Sequence, residues 1–277
     1  MTSAKKLIGC PTALWGEPLV QSLRSTGRFS LEAGSPSANA RGLRDGRLSA
    51  AFISPIDYAR EGSLDRIVRG TAVSSRGSSN AVVLRFREGI RTISTLAADP
   101  SSVSDIILAR IMLAEEFEVS PSIVPVEHAS EMLLRADAAL LSGDTIFRET
   151  PGPGTSLDLV EMWSEMTDLP DVHGMFCCGE HALSEDEVRS LGSLVSGNPD
   201  QRMLPGAEVT AAHGFRPTEA GAVESYLSTF SYELSEDVRD GITEFLTYAY
   251  YHGVLPDVPD LHFYSSTDDV ASDSLLN

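Results

Sequence analysis

Along the chain the apolar positions change period several times. The run Leu7-Ile8-Gly9-Cys10 reads as a strand followed by a loop. A helix then starts near Glu17 and Pro18, since proline is tolerated at a first helical position. Phe29 to Gly34 reads as a second strand, and Ser35-Pro36-Ser37 as a helix start whose stop is Asp45-Gly46. Leu48 to Ser54 is mostly apolar and bounded by turn residues, the pattern of a strand buried on both faces. Strand, helix and strand in this order make a βαβ unit, which requires a parallel sheet.

The alternation continues downstream. Residues 71–87 read as an extended crossing segment, 92–99 as a strand, and 100–117 as a helix capped by Asp99, Ser101 or Ser102. Residues 122–127 form a strand, 128–136 a short helix, and 136–144 a strand ending in Gly143 and Asp144. Then come a PGPGT loop (151–155) and a helix over 157–170. Beyond 172–178 the character changes, and 183–198, 220–230 and 235–253 read as amphipathic helices. The last residues read as a frayed acidic tail. The class is therefore α/β with helices added at the C-terminal end. Two lobes joined by crossing segments leave a cleft between them, and ligands of open α/β sheets bind at the carboxyl ends of strands. Ser54, the stretch from Asp99 to Ser104, and Gly143-Asp144 each follow an expected strand, which places them near one shared site.

Composition narrows the partners. With 42% hydrophobic residues in 277, the chain can bury a real core, which excludes a disordered chain or a small disulfide scaffold. Its 40 acidic against 21 basic residues leave a net charge of −19, which argues against nucleic acid and anionic membrane as partners. Lys5 and Lys6 are the only lysines. The three cysteines, Cys10, Cys177 and Cys178, make no disulfide framework and suit a reducing compartment. Lys5-Lys6 before Leu7-Ile8-Gly9-Cys10 imitates a lipoprotein cleavage box, but the apolar stretch is too short for an export signal, and the expectation is a cytoplasmic protein.

Three motifs bear on chemistry. DPSSVSD (99–105) joins a strand to a helix, so its N–H groups and hydroxyls suit a carboxylate or phosphate, or serve only as an N-cap. SGD (142–144) offers Asp144 as a site carboxylate or as a cap. HGMFCCGEH (173–181) invites a zinc reading through His173, Cys177, Cys178 and His181. Adjacent cysteines rarely both reach one ion, and a buried strand with two small thiols flanked by surface histidines is the reading adopted; no metal is assigned. No Ser-His-Asp set, P-loop or GxGxxG pattern is evident, and GPGT (152–155) lacks the GK[ST] ending of a nucleotide loop.

Six segments in order resemble one family across residues 7 to 264: SPSANARGLRDGRLSAAFISPIDYAR, GSSNAVVL, LAADPSSVSD, ADAALLSGDTIF, LDLVEMWSEMTDLPDVHGMF and YLSTFSYELSEDVRDGITEFLTYAYYHGVL. The family is the chorismate dehydratase group of the futalosine route to menaquinone. The resemblance implies a bilobal fold like that of type 2 periplasmic binding proteins, with two mixed sheets, flanking helices and a cleft. It implies one lobe from 1–86, a second from 87–178, and C-terminal helices from 179–277 completing the first. It also implies loss of water from chorismate to give 3-[(1-carboxyvinyl)oxy]benzoate, with no cofactor, on a small anionic substrate, by a monomer or homodimer. The substrate's own enolpyruvyl carboxylate is a candidate base. On this reading Asn80 and Asp144 are the catalytic candidates, and Trp15, Ser54, Ser79, Ser102, Ser104 and Gly143 the substrate-binding ones. Departures accompany the match. Trp15 stands where the family has Asn, Ala81 where it has Ser, and Ser104-Asp105 where it has Thr-Ser, so that an acid facing inward there repels a ligand carboxylate. The alternatives are a non-catalytic binder of an aromatic or carboxylate ligand, which Trp15 favours by offering a stacking face, and a lyase acting on another cyclic enol acid.

Overall fold

Strand β1 (Leu7–Pro11) is buried from its second residue onward and pairs in parallel with β2 (Ser30–Gly34) and β3 (Ala50–Ile53). Helices α1 (Glu17–Thr26) and α2 (Pro36–Arg44) make the connections. Their ends follow from local chemistry. Pro18 sits in the first turn of α1, and the Ser35 hydroxyl accepts the Ala38 N–H at the start of α2. The computed structural model describes residues 5–61, 65–148, 155–194 and 206–264. Most of the PGPGT loop, the end of the helix expected over 183–198, and the acidic tail lie outside the described residues.

After β3 the chain forms α3 (Pro55–Glu61), which the apolar pattern did not announce, and then the long strand β4 (Asp65–Ser75). It crosses to a second sheet made of β5 (Val82–Phe86), β6 (Thr95–Ala98), β7 (Ser122–Pro125), β8 (Ala138–Ser142) and β9 (Ser156–Asp158). Helices α4 (Val103–Phe117), α5 (Ala129–Arg135), α6 (Thr145–Arg148) and α7 (Leu159–Thr167) intervene. The chain then returns through β10 (Asp171–Gly179), followed by α8 (Glu185–Gly192), α9 (Gly206–Ala212), α10 (Ala220–Leu227), β11 (Phe230–Glu233) and α11 (Glu236–Tyr251).

The first sheet has the order β11-β4-β10-β3-β1-β2, with β10 antiparallel to both β3 and β4. The second has the order β7-β6-β8-β5-β9, with β6 parallel to β7 and β8, and β5 antiparallel to β8 and β9. Both sheets are mixed, as expected. The passages between them fall earlier than the sequence placed them, because Val82–Phe86 already pairs in the second sheet and Asp171–Gly179 in the first. The cause is visible in β10. Met175, Phe176, Cys177 and Cys178 are fully buried between β3 and β4, and an unbroken apolar run does not say which sheet owns it.

The two passages lie side by side. Arg76 donates to the backbone oxygen and carboxylate of Asp168, and the Gly77 N–H donates to Ser164 Oγ at 3.1 Å. Beneath them Trp163 is fully buried, with Nε1 donating to the Pro170 carbonyl at 3.3 Å and its ring edge-on to Phe245 and Tyr248 of α11. Helices α8 and α11 pack on β4 and β10, so the C-terminal part of the chain returns to the first sheet.

Candidate functional site

The carboxyl ends of β1 and β3 in one sheet and of β6 and β8 in the other face a single cleft of about 310 Å³. The first sheet contributes Pro11 to Ala13, Trp15, Ser35 to Ser37, Ser54 and Asp57. The second contributes Ser101 to Asp105 and Ser142 to Asp144, and Ala81, Val82 and His173 complete the wall. The first turns of α2 and α4 thus open on the same space. Their leading N–H groups have no partner within the helix, and the helix field there favours an anion. Ser102 makes no side-chain cap on α4, and its Oγ lies instead 3.5 Å from Ser142 Oγ. The local turn is closed by Asp99, whose Oδ1 accepts the Ser101 N–H at 2.8 Å. Among the described residues no lysine or arginine lines the cleft.

One wall is aromatic. Trp15 is 7% exposed and packs against Phe52, His173 and Phe230 with ring centroids 5.6, 5.5 and 6.5 Å away, nearly parallel to His173 at 27°. The Tyr232 hydroxyl donates to the Trp15 carbonyl at 3.0 Å and fixes its backbone. Behind this wall Ser75 Oγ lies 2.7 Å from His173 Nε2, and His173 Nδ1 lies 3.5 Å from Asp171 Oδ2. The fold therefore assembles a Ser-His-Asp line that spacing along the chain concealed. It is not a nucleophile set, because Ser75 is 2% exposed and does not line the cleft. Burial holds His173 down to about 3, so the imidazole is neutral. Burial, and after it the charge of Asp105, push Asp171 up to about 7. With the Ser75 hydroxyl donating to Nε2, the tautomer that fits has its proton on Nδ1, facing Asp171. The line holds the ring flat against Trp15.

Three acids reach the cleft, each handled differently. Asp57 accepts the hydroxyls of Ser37 at 2.9 Å and Ser54 at 2.7 Å, one on each oxygen. Asp144 accepts the Leu14 N–H at 2.6 Å on Oδ1, and its Oδ2 lies 3.2 Å from His213 Nδ1. The other nitrogen of His213 lies 3.2 Å from Glu17 Oε2. These two carboxyl groups, Asp144 first, raise His213 to about 9, so it bridges them as an imidazolium. Asp105, in the first turn of α4, is pushed up to about 6 by burial, against the opposing hydrogen bond of the Ser142 hydroxyl.

Of the residues expected at the site, Trp15, Ser54, Ser102, Ser104, Gly143 and Asp144 line this one cleft. Gly143 has φ 55, which its lack of a Cβ permits, and this turn delivers Asp144. Ser54 is spent on Asp57, so toward a ligand it presents acceptor lone pairs rather than a proton. Ser79 and Asn80 are not brought to the wall. Ser79 is buried and accepts the Ala81 N–H, while Asn80 is exposed, takes the left-handed conformation at φ 54, and gives its N–H to Asp158 at 2.6 Å. That turn sets Ala81 on the wall in their place. Cys177 and Cys178 are buried within β10, and desolvation pushes the Cys178 thiol up to about 12. His173 is buried rather than on the surface, whereas His181 is exposed. Among the described residues no three His, Cys, Asp or Glu side chains form a metal-binding group. His213 carries no local signal, because its partners lie 69 and 196 residues away in the chain.

The aromatic wall gives a direct optical test. The chain has two tryptophans, Trp15 on the cleft and Trp163 wholly buried near α11. A ring bound in the cleft is expected to change the fluorescence of Trp15. The change should survive Trp163→Phe and disappear in Trp15→Phe at saturating ligand, as read by titration of intrinsic emission.

Comparisons with known proteins agree with this architecture. A family model described as menaquinone biosynthesis matches residues 11–251. Comparison with curated proteins finds no match. Among solved structures, protein AF1704 from Archaeoglobus fulgidus superposes with a TM-score of 0.70 at 16% identity, covering 92% of this chain and 100% of that one. The periplasmic aliphatic sulphonate binding protein SsuA from Escherichia coli gives a TM-score of 0.61 at 11% identity, covering 94% and 96%. The Candida albicans CA3427 gene product, which exhibits the generic periplasmic binding protein fold, gives a TM-score of 0.60 at 9% identity, covering 97% and 100%. The fold of this chain is of the periplasmic-binding-protein kind.

Proposed function

The chain belongs to the menaquinone-biosynthesis family, and we propose from that premise that it is a carbon–oxygen lyase that eliminates water from chorismate to give 3-[(1-carboxyvinyl)oxy]benzoate. The observation that carries this reading is the pairing, in one cleft, of the first turns of α2 and α4 with the indole of Trp15. Chorismate is a ring carrying two carboxylates. A wall that stacks on the ring and N–H groups that take the carboxylates meet both demands without a lysine or arginine. The ring needs one elimination to become aromatic, so the protein's task is orientation and electrostatics.

In this scheme the backbone N–H groups and hydroxyls of Ser102 and Ser104 hold a carboxylate over α4. Trp15, kept flat by His173 and Phe52, sets the plane of the ring. Asp144 fixes the opposite rim through the Leu14 N–H and His213. The substrate's enolpyruvyl carboxylate takes the proton from the ring carbon that bears it. The buried thiols of Cys10, Cys177 and Cys178 suit a reducing compartment, and we place the reaction in the cytoplasm.

A second reading has support from one feature. Trp15 and Ala81 both line the cleft where the family pattern has Asn and Ser, which fits a relative that holds the ligand without turning it over. One experiment separates the two. Purified protein mixed with chorismate should yield a product lighter by one water with an aromatic absorbance. Thermal stabilisation by chorismate with no product would establish the binder instead, and neither product nor stabilisation would remove chorismate as the ligand.

A further inference from the structure

We propose that Asp105 is the acid that delivers a proton to the departing hydroxyl of the substrate. The inference rests on the lyase reading above and adds a catalytic residue to it.

The argument starts from what the cleft acids are already doing. Asp57 has each oxygen engaged by a serine hydroxyl, and Asp144 has one engaged by a backbone N–H and the other beside the His213 imidazolium. Both have their two oxygens occupied as acceptors, which leaves neither placed to hand a proton to a ligand. Asp105 is set differently. It lies in the first turn of α4, on the cleft wall beside Ser102, Ser104 and Ser142, and its partner is the Ser142 hydroxyl. Among the described residues no lysine or arginine lines the space to hold it ionised.

The titratable groups around it are acids or neutral, apart from the His213 imidazolium, which is held between Asp144 and Glu17, and the Ser142 hydroxyl opposes the effect of burial. Asp171 on β10 and Tyr226 on α10 feel its charge. Asp57 on α3 and Asp144 after β8 share its cleft, and the neutral His173 supplies no compensating charge. Burial already puts Asp105 at about 6, and a bound dianion raises it further. A bound anion thus favours the protonated form of Asp105, which donates to the ligand instead of repelling it. This resolves the conflict between an acid at this position and an anionic substrate.

The step balances as follows. The enolpyruvyl carboxylate takes the proton from the ring carbon bearing the ether, and that C–H electron pair becomes the new ring double bond. The adjacent C–O bond breaks, and its electron pair, together with the Asp105 proton, leaves as water. Asp105 then regains a proton from solvent while the product's enolpyruvyl carboxyl loses one, so the net change is chorismate to product plus water.

The test is steady-state turnover of chorismate by wild type, Asp105→Asn and Asp105→Glu from pH 5 to 9, with melting temperatures confirming folding. Wild-type kcat/KM should fall as pH rises above about 6, since a general acid works only while protonated. Asp105→Asn should lower kcat at least a hundredfold with KM unchanged or lower, and should abolish the alkaline fall. Asp105→Glu should recover part of kcat. A folded Asp105→Asn protein retaining kcat within threefold would overturn the assignment while leaving the lyase reading intact, as would a loss seen only in KM. A wild type that makes no product at any pH would remove the lyase reading and this assignment together.

Discussion

Gly174→Ala is expected to cost about 3 kcal/mol of stability, a loss of roughly 6–10 °C in melting temperature for a chain of this size. Gly174 sits in β10 where it runs against β3. A Cβ there would overlap the Phe52 ring and lie 2.6 Å from the Ile53 backbone oxygen. The ring has nowhere to retreat, since it is fully buried with Phe176 edge-on at 5.4 Å and Trp15 at 5.6 Å. The strand must move instead, and β10 is the strand that joins β3 to β4. The displacement also reaches the cleft through Trp15. Urea unfolding followed by far-UV dichroism measures the first effect, and Trp15 emission in the folded variant measures the second. An unchanged unfolding midpoint would mean that β10 and β3 are not packed as closely as described.

His213→Gln is expected to lower stability by about 2 kcal/mol at pH 7 and by almost nothing at pH 10. His213 stands 3.2 Å from each of Asp144 and Glu17, with its side chain 13% exposed. Asp144 follows a strand of the second sheet, whereas Glu17 opens α1 against the first, so a single imidazolium ties the two rims of the cleft. Its value is raised to about 9, above the ordinary value near 6.5 that it has when unfolded. The stabilisation is therefore complete below about pH 6.5 and is lost as pH rises through about 9. At the acid end Glu17, held low chiefly by its hydrogen bond to His213, gives up its share only as pH falls below the usual carboxylate range. Melting curves of wild type and variant should converge between pH 8 and 10. Parallel curves across that range would show that the bridge contributes packing and not charge.

How much of this was legible in advance depended on range. The βαβ start was readable because Pro18, Ser35 and Pro36 act on neighbours a few residues away. The strand-end rule, which needs only the order of elements, gathered Ser54, Ser102, Ser104, Gly143 and Asp144 around one cleft. Helix α3 was missed because Ser54-Pro55 reads equally well as the close of a strand. Strand β11 was missed because its four residues follow α10 after a gap of only two residues, so the helical apolar pattern runs on into it. The roles of His173 and His213 depend on Ser75, Asp144 and Glu17, between 69 and 196 residues away, and no local pattern encodes such a pairing. Asn80 illustrates a finer limit. A one-residue left-handed turn decides whether it or Ala81 meets the ligand, and composition is blind to that.

The direction of β1 has a practical consequence. Lys5 and Lys6, the only lysines, stand just before its first residue, and the strand then runs to Pro11 on the cleft wall. Amine-directed coupling to a sensor surface or a fluorophore therefore attaches at the end of the strand remote from the ligand. The immobilised molecules face the solution with their clefts open and no reactive side-chain amine on the cleft wall, so surface-based titrations report the same binding event as those in free solution.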